Sequence, residues 1–188
     1  MRLYESLPDR VEYKGRIYHL NLAFDSVLAS LDALRDETLS EFYQIKAALD
    51  NLVIDTHEVD PGLLQSVLDI ISPGKEKSSE PPSIDMEQDS ELIYAAFLQA
   101  YGIDLFKEQG RLHWMQFLAL LQSLPSDTRM AEIAGIRQQE VPAPTKYNRD
   151  QRNQLIKLKA KYAIKSSNQL ENGLYKMYQS LVSMSEQR

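Results

Sequence analysis

The sequence predicts a mainly α-helical protein, a compact helical body with a short N-terminal β-hairpin and two C-terminal amphipathic helices. Apolar residues recur every three or four positions through most of the chain, as they do on the buried face of a helix. Only the segment 10–20 has the composition of paired strands. The longest apolar run, 117–121, is far shorter than the roughly 20 residues that cross a bilayer, so we expect no membrane association.

The N-terminal part of the chain is predicted to form the hairpin and three helices. Lys14–Gly15 separates β-favouring residues, and glycine permits the positive φ that a two-residue hairpin loop requires. Asp25 is the predicted N-cap of a helix that ends near Arg35. Thr38 with Glu41 resembles a capping box, and Asp60–Pro61 opens a third helix. The apolar faces are Val27, Leu28, Leu31 and Leu34; Phe42, Ile45, Leu49 and Leu52; and Leu63, Leu64, Val67, Ile70 and Ile71.

The middle of the chain is predicted to contain a flexible loop and three more helices. Residues 73–84 contain two consecutive prolines and little apolar surface to bury, so they cannot offset the entropy lost on ordering. Glycine and proline then mark the helix ends. The predicted elements are a helix at about 86–101 capped by Gly102, a helix at 112–124 closed by Pro125, a short helix at about 126–134 before Gly135, and an extended connector at 141–144.

Charge divides the chain into two parts. Residues 1–145 carry 12 basic and 24 acidic side chains, whereas 146–165 carry seven basic and one acidic. We therefore predict an acidic helical body at 1–140 and a basic, amphipathic extension at 141–188. Asn148 is the predicted N-cap of the first helix of the extension. The apolar stripes of its two helices consist of Leu155, Leu158 and Tyr162, and of Leu170, Leu174, Met177, Tyr178 and Leu181.

The two stripes of the extension need a surface against which to be buried, and we predict that they bind a partner. That surface belongs to the other helix, to the body or to a second chain, so a homo-oligomer is one of the open alternatives. The basic charge attracts the acidic body, an acidic protein partner or nucleic acid. Because the basic residues surround the polar sides of the helix and do not alternate with exposed aromatic residues, the pattern argues against nucleic acid.

No catalytic, metal-binding or cofactor-binding pattern is present in the sequence. Phosphate-loop, dinucleotide-binding and nucleophile-elbow motifs are missing, and the chain contains no cysteine. His19, His57 and His113 lack the spacing of metal ligands, and packing explains His113 beside Trp114 as well as a site does. We therefore expect a protein that is not an enzyme and that needs neither a metal nor a cofactor.

The carboxylates at 85–91 are the remaining candidates for catalysis. Acid–base chemistry requires carboxylates in a shielded pocket, where their pKa values are shifted. These residues instead alternate through the predicted start of a helix, where negative charge is favoured by the helix dipole. The residues concerned are Asp85, Glu87, Asp89 and Glu91.

Two stretches of the chain resemble a known family. The run 85–105, DMEQDSELIYAAFLQAYGIDL, together with Leu112–His113–Trp114 and 117–128, is similar to the phage family named after gene product fifteen, found in long-tailed phages and prophages of Gram-positive hosts. The opening of the chain is similar to it as well, and the resemblance covers about 1–165. Met115, where a second aromatic residue is expected, and the segment after 166 depart from the pattern. The motif residues are Tyr94, Phe97, Tyr101, Gly102, His113, Trp114, Phe117, Leu121 and Pro125.

The resemblance implies a helical tail assembly chaperone. Such a protein is expected to coat the long tape measure protein in the cytoplasm of the host bacterium and to leave as tail-tube subunits polymerise around it. The tape measure protein is therefore the implied partner, with the major tail protein as a further one. The alternative is a structural component that stays in the virion tail.

Overall fold

The computed structural model describes residues 4–72 and 83–164, which form one hairpin and seven helices. The mainly helical fold with an N-terminal hairpin is therefore confirmed, while the predicted helix over 170–181 and nearly all of the predicted loop lie outside the described residues. The elements are β1 (Arg10–Tyr13), β2 (Arg16–His19), α1 (Phe24–Arg35), α2 (Glu41–Leu52), α3 (Pro61–Ile71), α4 (Ser90–Tyr101), α5 (Trp114–Gln122), α6 (Arg129–Gln138) and α7 (Arg149–Lys161).

Contacts within the chain divide it into two compact units. Of the described residues, the first unit contains 4–72 and 106–119, and the second contains 83–105 and 120–164. The division falls inside α5, after Ala119. The boundary that charge predicts near 140 stays a prediction.

The hairpin forms as the sequence predicts. β1 and β2 are antiparallel, with Arg10 opposite His19 and Tyr13 opposite Arg16. Lys14 and Gly15 form the loop with φ of 49° and 74°, the pair of positive values that matches the twist of a two-residue hairpin.

Asp60 connects the hairpin to α3. Its carboxylate caps α3 by accepting the Gly62 N–H at 2.8 Å, as predicted, and also accepts the Tyr13 hydroxyl at 3.1 Å and Lys14 Nζ at 2.8 Å. Burial acts to raise the pKa of Asp60, but the hydrogen bonds from Lys14, Gly62 and Tyr13 outweigh it, so the pKa lies below its usual value. The ionised carboxylate therefore stabilises the first unit.

The predicted N-caps of α1 and α2 are wrong. α1 begins at Phe24, so Asp25 lies within its first turn and accepts the Gly110 N–H at 2.9 Å. The start is fixed from elsewhere in the chain, because the Phe24 N–H donates to the Leu112 carbonyl at 2.9 Å. α2 follows Ser40, since Thr38 donates both its N–H and its hydroxyl to Asp36 and does not cap the helix.

Three helix boundaries in the middle of the chain also differ from the prediction. α4 begins at Ser90, because Asp85 accepts the N–H groups of residues 87 and 88 and forms a separate turn before it. α5 begins at Trp114, because the preceding residues pair with the backbone before α1. α6 continues through Gly135 to Gln138 and does not end before the glycine. The predicted cap of α4 is confirmed, because Gly102 follows the helix with φ of 66°.

A buried ion pair joins α4 to α6 within the second unit. The side chains of Arg137 and Asp89 are 7% and 2% exposed, and two N–H···O bonds of 2.5 and 2.8 Å link them. Arg137 also donates to the carbonyls of Ser83 and Tyr162. In the sequence, Asp89 is explained by its position at the start of a helix, where the dipole favours negative charge. In the structure its main partner is the Arg137 guanidinium.

Replacing Asp60 with asparagine should destabilise the protein at neutral pH and make little difference in acid. A lowered pKa in the folded state contributes stability above the pKa of the unfolded chain, and that contribution is lost as the pH falls through the folded value. Urea unfolding in steps from neutral pH to about pH 2 measures the difference, which should shrink progressively once the pH falls below the ordinary aspartate pKa. In a Lys14→Met background the effect at neutral pH should shrink, and an effect that is constant with pH would contradict the assignment.

Arg137→Met should destabilise the protein by about 3–5 kcal/mol, because it leaves the Asp89 carboxylate buried without its cation. The comparison is Arg129→Met on the same helix, which removes a half-exposed ion pair with Glu132 and the contacts of Arg129 with the Tyr162 side chain and should cost much less. Urea unfolding compares the two variants. Equal stability of the two would show that the buried pair does not hold the second unit together.

Candidate interaction surfaces

The first turn of α2 exposes an aromatic patch, which we define as Leu39, Phe42 and Tyr43. Their exposed fractions are 36%, 56% and 60%, and the two rings meet edge to face with centroids 5.5 Å apart. Large exposed rings in contact are typical of protein-binding surfaces, because they bury much area at little cost in side-chain entropy. The patch is therefore a candidate for contact with another protein.

The exposure of Phe42 corrects its predicted place on the buried face of α2. The buried residues of that helix are Ile45, Ala48, Leu49 and Leu52. The Ser30 hydroxyl of α1 donates to the Ala48 carbonyl of α2, so these two residues lie side by side. Because the chain reverses direction between the two helices, Phe42, six residues before Ala48, lies beside Asp36, six residues after Ser30. Because α1 ends at Arg35, that helix has no residue that could cover the Phe42 ring.

The aromatic patch is held in shape by the loop before α2. The Asp36 carboxylate accepts the Thr38 N–H at 2.9 Å and its hydroxyl at 2.6 Å, while Gln44 Nε2 donates to the Asp36 carbonyl at 2.7 Å. The side-chain hydrogen bond from Thr38, followed by its backbone N–H, lowers the pKa of Asp36. Asp36, Glu37 and Glu41 thus give the rim of the patch a negative charge.

The predicted partner-binding stripe of α7 is packed within the second unit. Leu155 is buried, and Leu158 and Tyr162 are half-buried. Lys159 Nζ donates to the carbonyls of Arg137 and Gln139 at 2.6 Å each, which anchors the helix further. Asn148 precedes α7 but accepts from Thr145 and makes no side-chain cap bond to the helix. The other predicted residues, Leu170, Leu174, Met177, Tyr178 and Leu181, lie outside the described residues.

The opposite side of α7 is exposed and basic. This basic face, which we define as Arg149, Asp150, Asn153, Ile156, Lys157, Ala160 and Lys161, contains only exposed residues and carries three basic side chains against one acidic. Ile156 is 39% exposed and lies one turn before the small residue Ala160. Tyr147, 91% exposed, comes just before the helix, an exposed aromatic residue that the charge pattern did not reveal. The face combines a narrow apolar centre with positive charge.

The motif residues of the second unit support its packing. Phe97 is fully buried and meets Tyr101 edge to face at 5.8 Å, and the Tyr101 hydroxyl donates to the Leu120 carbonyl at 2.9 Å. Leu121 is buried and Tyr94 half-buried. Pro125 is exposed, and its carbonyl accepts the N–H and hydroxyl of Thr128 before α6.

His113, Trp114 and Phe117 have structural contacts in the first unit. Met115 N–H donates to His113 Nδ1 at 3.1 Å, which caps the start of α5, and Nε2 lies 3.1 Å from the Pro8 carbonyl. Together these bonds require the neutral ring with its proton on Nε2. Trp114 Nε1 donates to the Ile71 carbonyl, and Phe117 stacks on both Trp114 and Phe24. The packing interpretation of His113 agrees with these contacts.

Residues 4–72 and 83–164 contain neither a cluster of metal ligands nor a helix that could span a membrane. Within these ranges no three side chains of His, Cys, Asp or Glu converge to hold a metal ion. No helix there combines the length and apolar character that a transmembrane segment requires.

Comparison with known proteins gives one match. The sequence model of the family described as Bacteriophage Gp15 protein matches residues 3–164. No curated protein and no solved structure matches the chain.

Replacing both Phe42 and Tyr43 with serine should change the free energy of unfolding by no more than about 0.5 kcal/mol, because neither ring is part of the core. Phe117→Ala, a buried ring of the same unit, should cost about 3–5 kcal/mol. Urea unfolding of the two variants tests the distinction. A large loss of stability in the serine variant would mean that the aromatic patch is needed for folding.

Proposed function

Because the chain belongs to the bacteriophage Gp15 family, we propose that it is a tail assembly chaperone that binds the phage tape measure protein, and that it is not an enzyme. The match over residues 3–164 is the observation that carries this proposal, since it includes both structural units. A chaperone of this kind acts through surfaces and needs no catalytic pocket. The exposed aromatic and basic surfaces of the described residues suit such a role.

Binding of the tape measure is assigned to the C-terminal extension. Leu158 and Tyr162 are still partly accessible on α7, and the sequence continues their stripe into 166–188. An amphipathic helix of this kind pairs with the apolar stripe of another helix, which is how a long helical partner is recognised. Many copies of such a weak contact along one tape measure give a strong combined affinity. Each single contact can still be displaced by a tail-tube subunit.

Co-expression with the tape measure protein encoded by the same phage tests the function. We expect the tape measure to become soluble and to co-purify with this chain. Deleting 165–188 should abolish co-purification while α7 and the second unit remain intact. The control is Ile17→Ser with Ile54→Ser, which alters exposed apolar residues that belong to the first unit and should have no effect.

Two outcomes would contradict the proposal. A tape measure that stays insoluble and unbound in the presence of this chain would exclude the chaperone role. A fixed number of copies in purified virions, measured by mass spectrometry, would instead identify a structural subunit of the tail, because a chaperone leaves before the tail is complete.

A further inference from the structure

We propose that this protein associates with itself head to tail, the basic face of α7 in one copy docking on the aromatic patch of α2 in the next. Both surfaces are exposed. One is acidic around exposed rings and the other is basic around an exposed aliphatic side chain, so the two are complementary. The proposal does not depend on the tape measure, since both halves of the interface lie on this chain.

Charge complementarity identifies a second copy of this chain as the partner of the aromatic patch. The rim of the aromatic patch carries Asp36, Glu37 and Glu41, and the basic face carries Arg149, Lys157 and Lys161 against a single acid, Asp150. Lys46, the cation one turn after Phe42, is already paired with Asp50 at 2.5 Å. Opposite charges of similar number around an apolar centre steer association and fix its register.

The apolar centres of the two surfaces also fit each other. Ile156 projects from α7, while Asn153 and Ala160 are small and leave space on either side of it. The Phe42 and Tyr43 rings lie in contact with each other and offer exposed apolar area on which a branched aliphatic side chain can pack. Cations beside exposed aromatic rings add a further attraction.

The geometry of the interface determines which oligomers form. Each copy presents two different surfaces, so the contacts close between two copies, close around a larger ring, or extend into an open chain. One helix face against one helical turn is smaller than a standard interface, so the association should be weak and should depend on protein concentration. Because exposed charges contribute, added salt should weaken it.

The first experiment measures the mass of the full chain by sedimentation velocity across protein and salt concentrations. We expect masses above the 21.6 kDa of one chain at high concentration and a return to one chain in high salt. Phe42→Ser with Tyr43→Ser should weaken association about tenfold or more, the usual effect of truncating central aromatic anchors. Ile17→Ser, on the outward face of the hairpin, is the matched control and should leave association unchanged.

A charge exchange gives the decisive test. Glu37→Lys with Glu41→Lys makes the rim of the patch positive, and Lys157→Glu with Lys161→Glu makes the basic face negative. Each variant alone should remain a single chain, and a mixture of the two should associate, because every contact in it joins opposite charges. Recovery in the mixture also shows that both variants are folded.

Crosslinking provides an independent measurement, since the chain contains no cysteine of its own. Tyr43→Cys mixed with Ala160→Cys should give a crosslinked pair with a short thiol-reactive reagent, and Ile17→Cys with Ala160→Cys should not. A single-chain mass at all concentrations, association that survives both charge variants, or a mass that rises only when nucleic acid is added would each overturn the proposal.

Discussion

The second unit depends on the buried ion pair between Arg137 and Asp89. Removing a guanidinium and a carboxylate from solvent costs several kcal/mol for each, and only a complete set of partners offsets that cost. Arg137 has such a set, because Asp89 accepts from two of its nitrogens and the carbonyls of Ser83 and Tyr162 accept as well. Asp89 directly precedes α4, Tyr162 directly follows α7 and Ser83 lies in the segment before α4, so these three parts of the chain are fixed to one side chain of α6.

This constraint determines which side of α7 faces solvent. The backbone at the C-terminal end of α7 binds Arg137, while Lys159 reaches back to carbonyls at the end of α6. Leu155 is then buried, and the residues on the other side of the helix are exposed. The apolar stripe that the sequence assigns to a partner is thus partly used for packing, and the exposed face is the charged one.

The sequence predicts those features that neighbouring residues determine. The Lys14–Gly15 turn, the Asp60 cap and the Gly102 cap each depend on residues within a few positions, and each forms as predicted. Several predictions fail where a distant residue decides, while the predicted Thr38 and Asn148 caps fail because each side chain bonds a near neighbour instead. Asp25 pairs with Gly110, and Asp89 with Arg137, contacts that no local pattern encodes. Phe42 follows the helical spacing of its stripe, but the end of α1 leaves it uncovered, and the sequence alone does not show how two helices align.

The self-association and the tape measure binding that we propose serve one mechanism. A chaperone that coats a long partner gains affinity from neighbours on the same partner, because each bound copy raises the effective concentration of the next. Such a coat must also come off as the tail tube grows, which a few strong contacts would prevent. An interface made of one aromatic pair with a charged rim meets both needs, since it adds modest affinity and its charges exchange readily with those of a competing subunit. Separate surfaces for the partner and for the neighbouring copy allow both contacts to form at once.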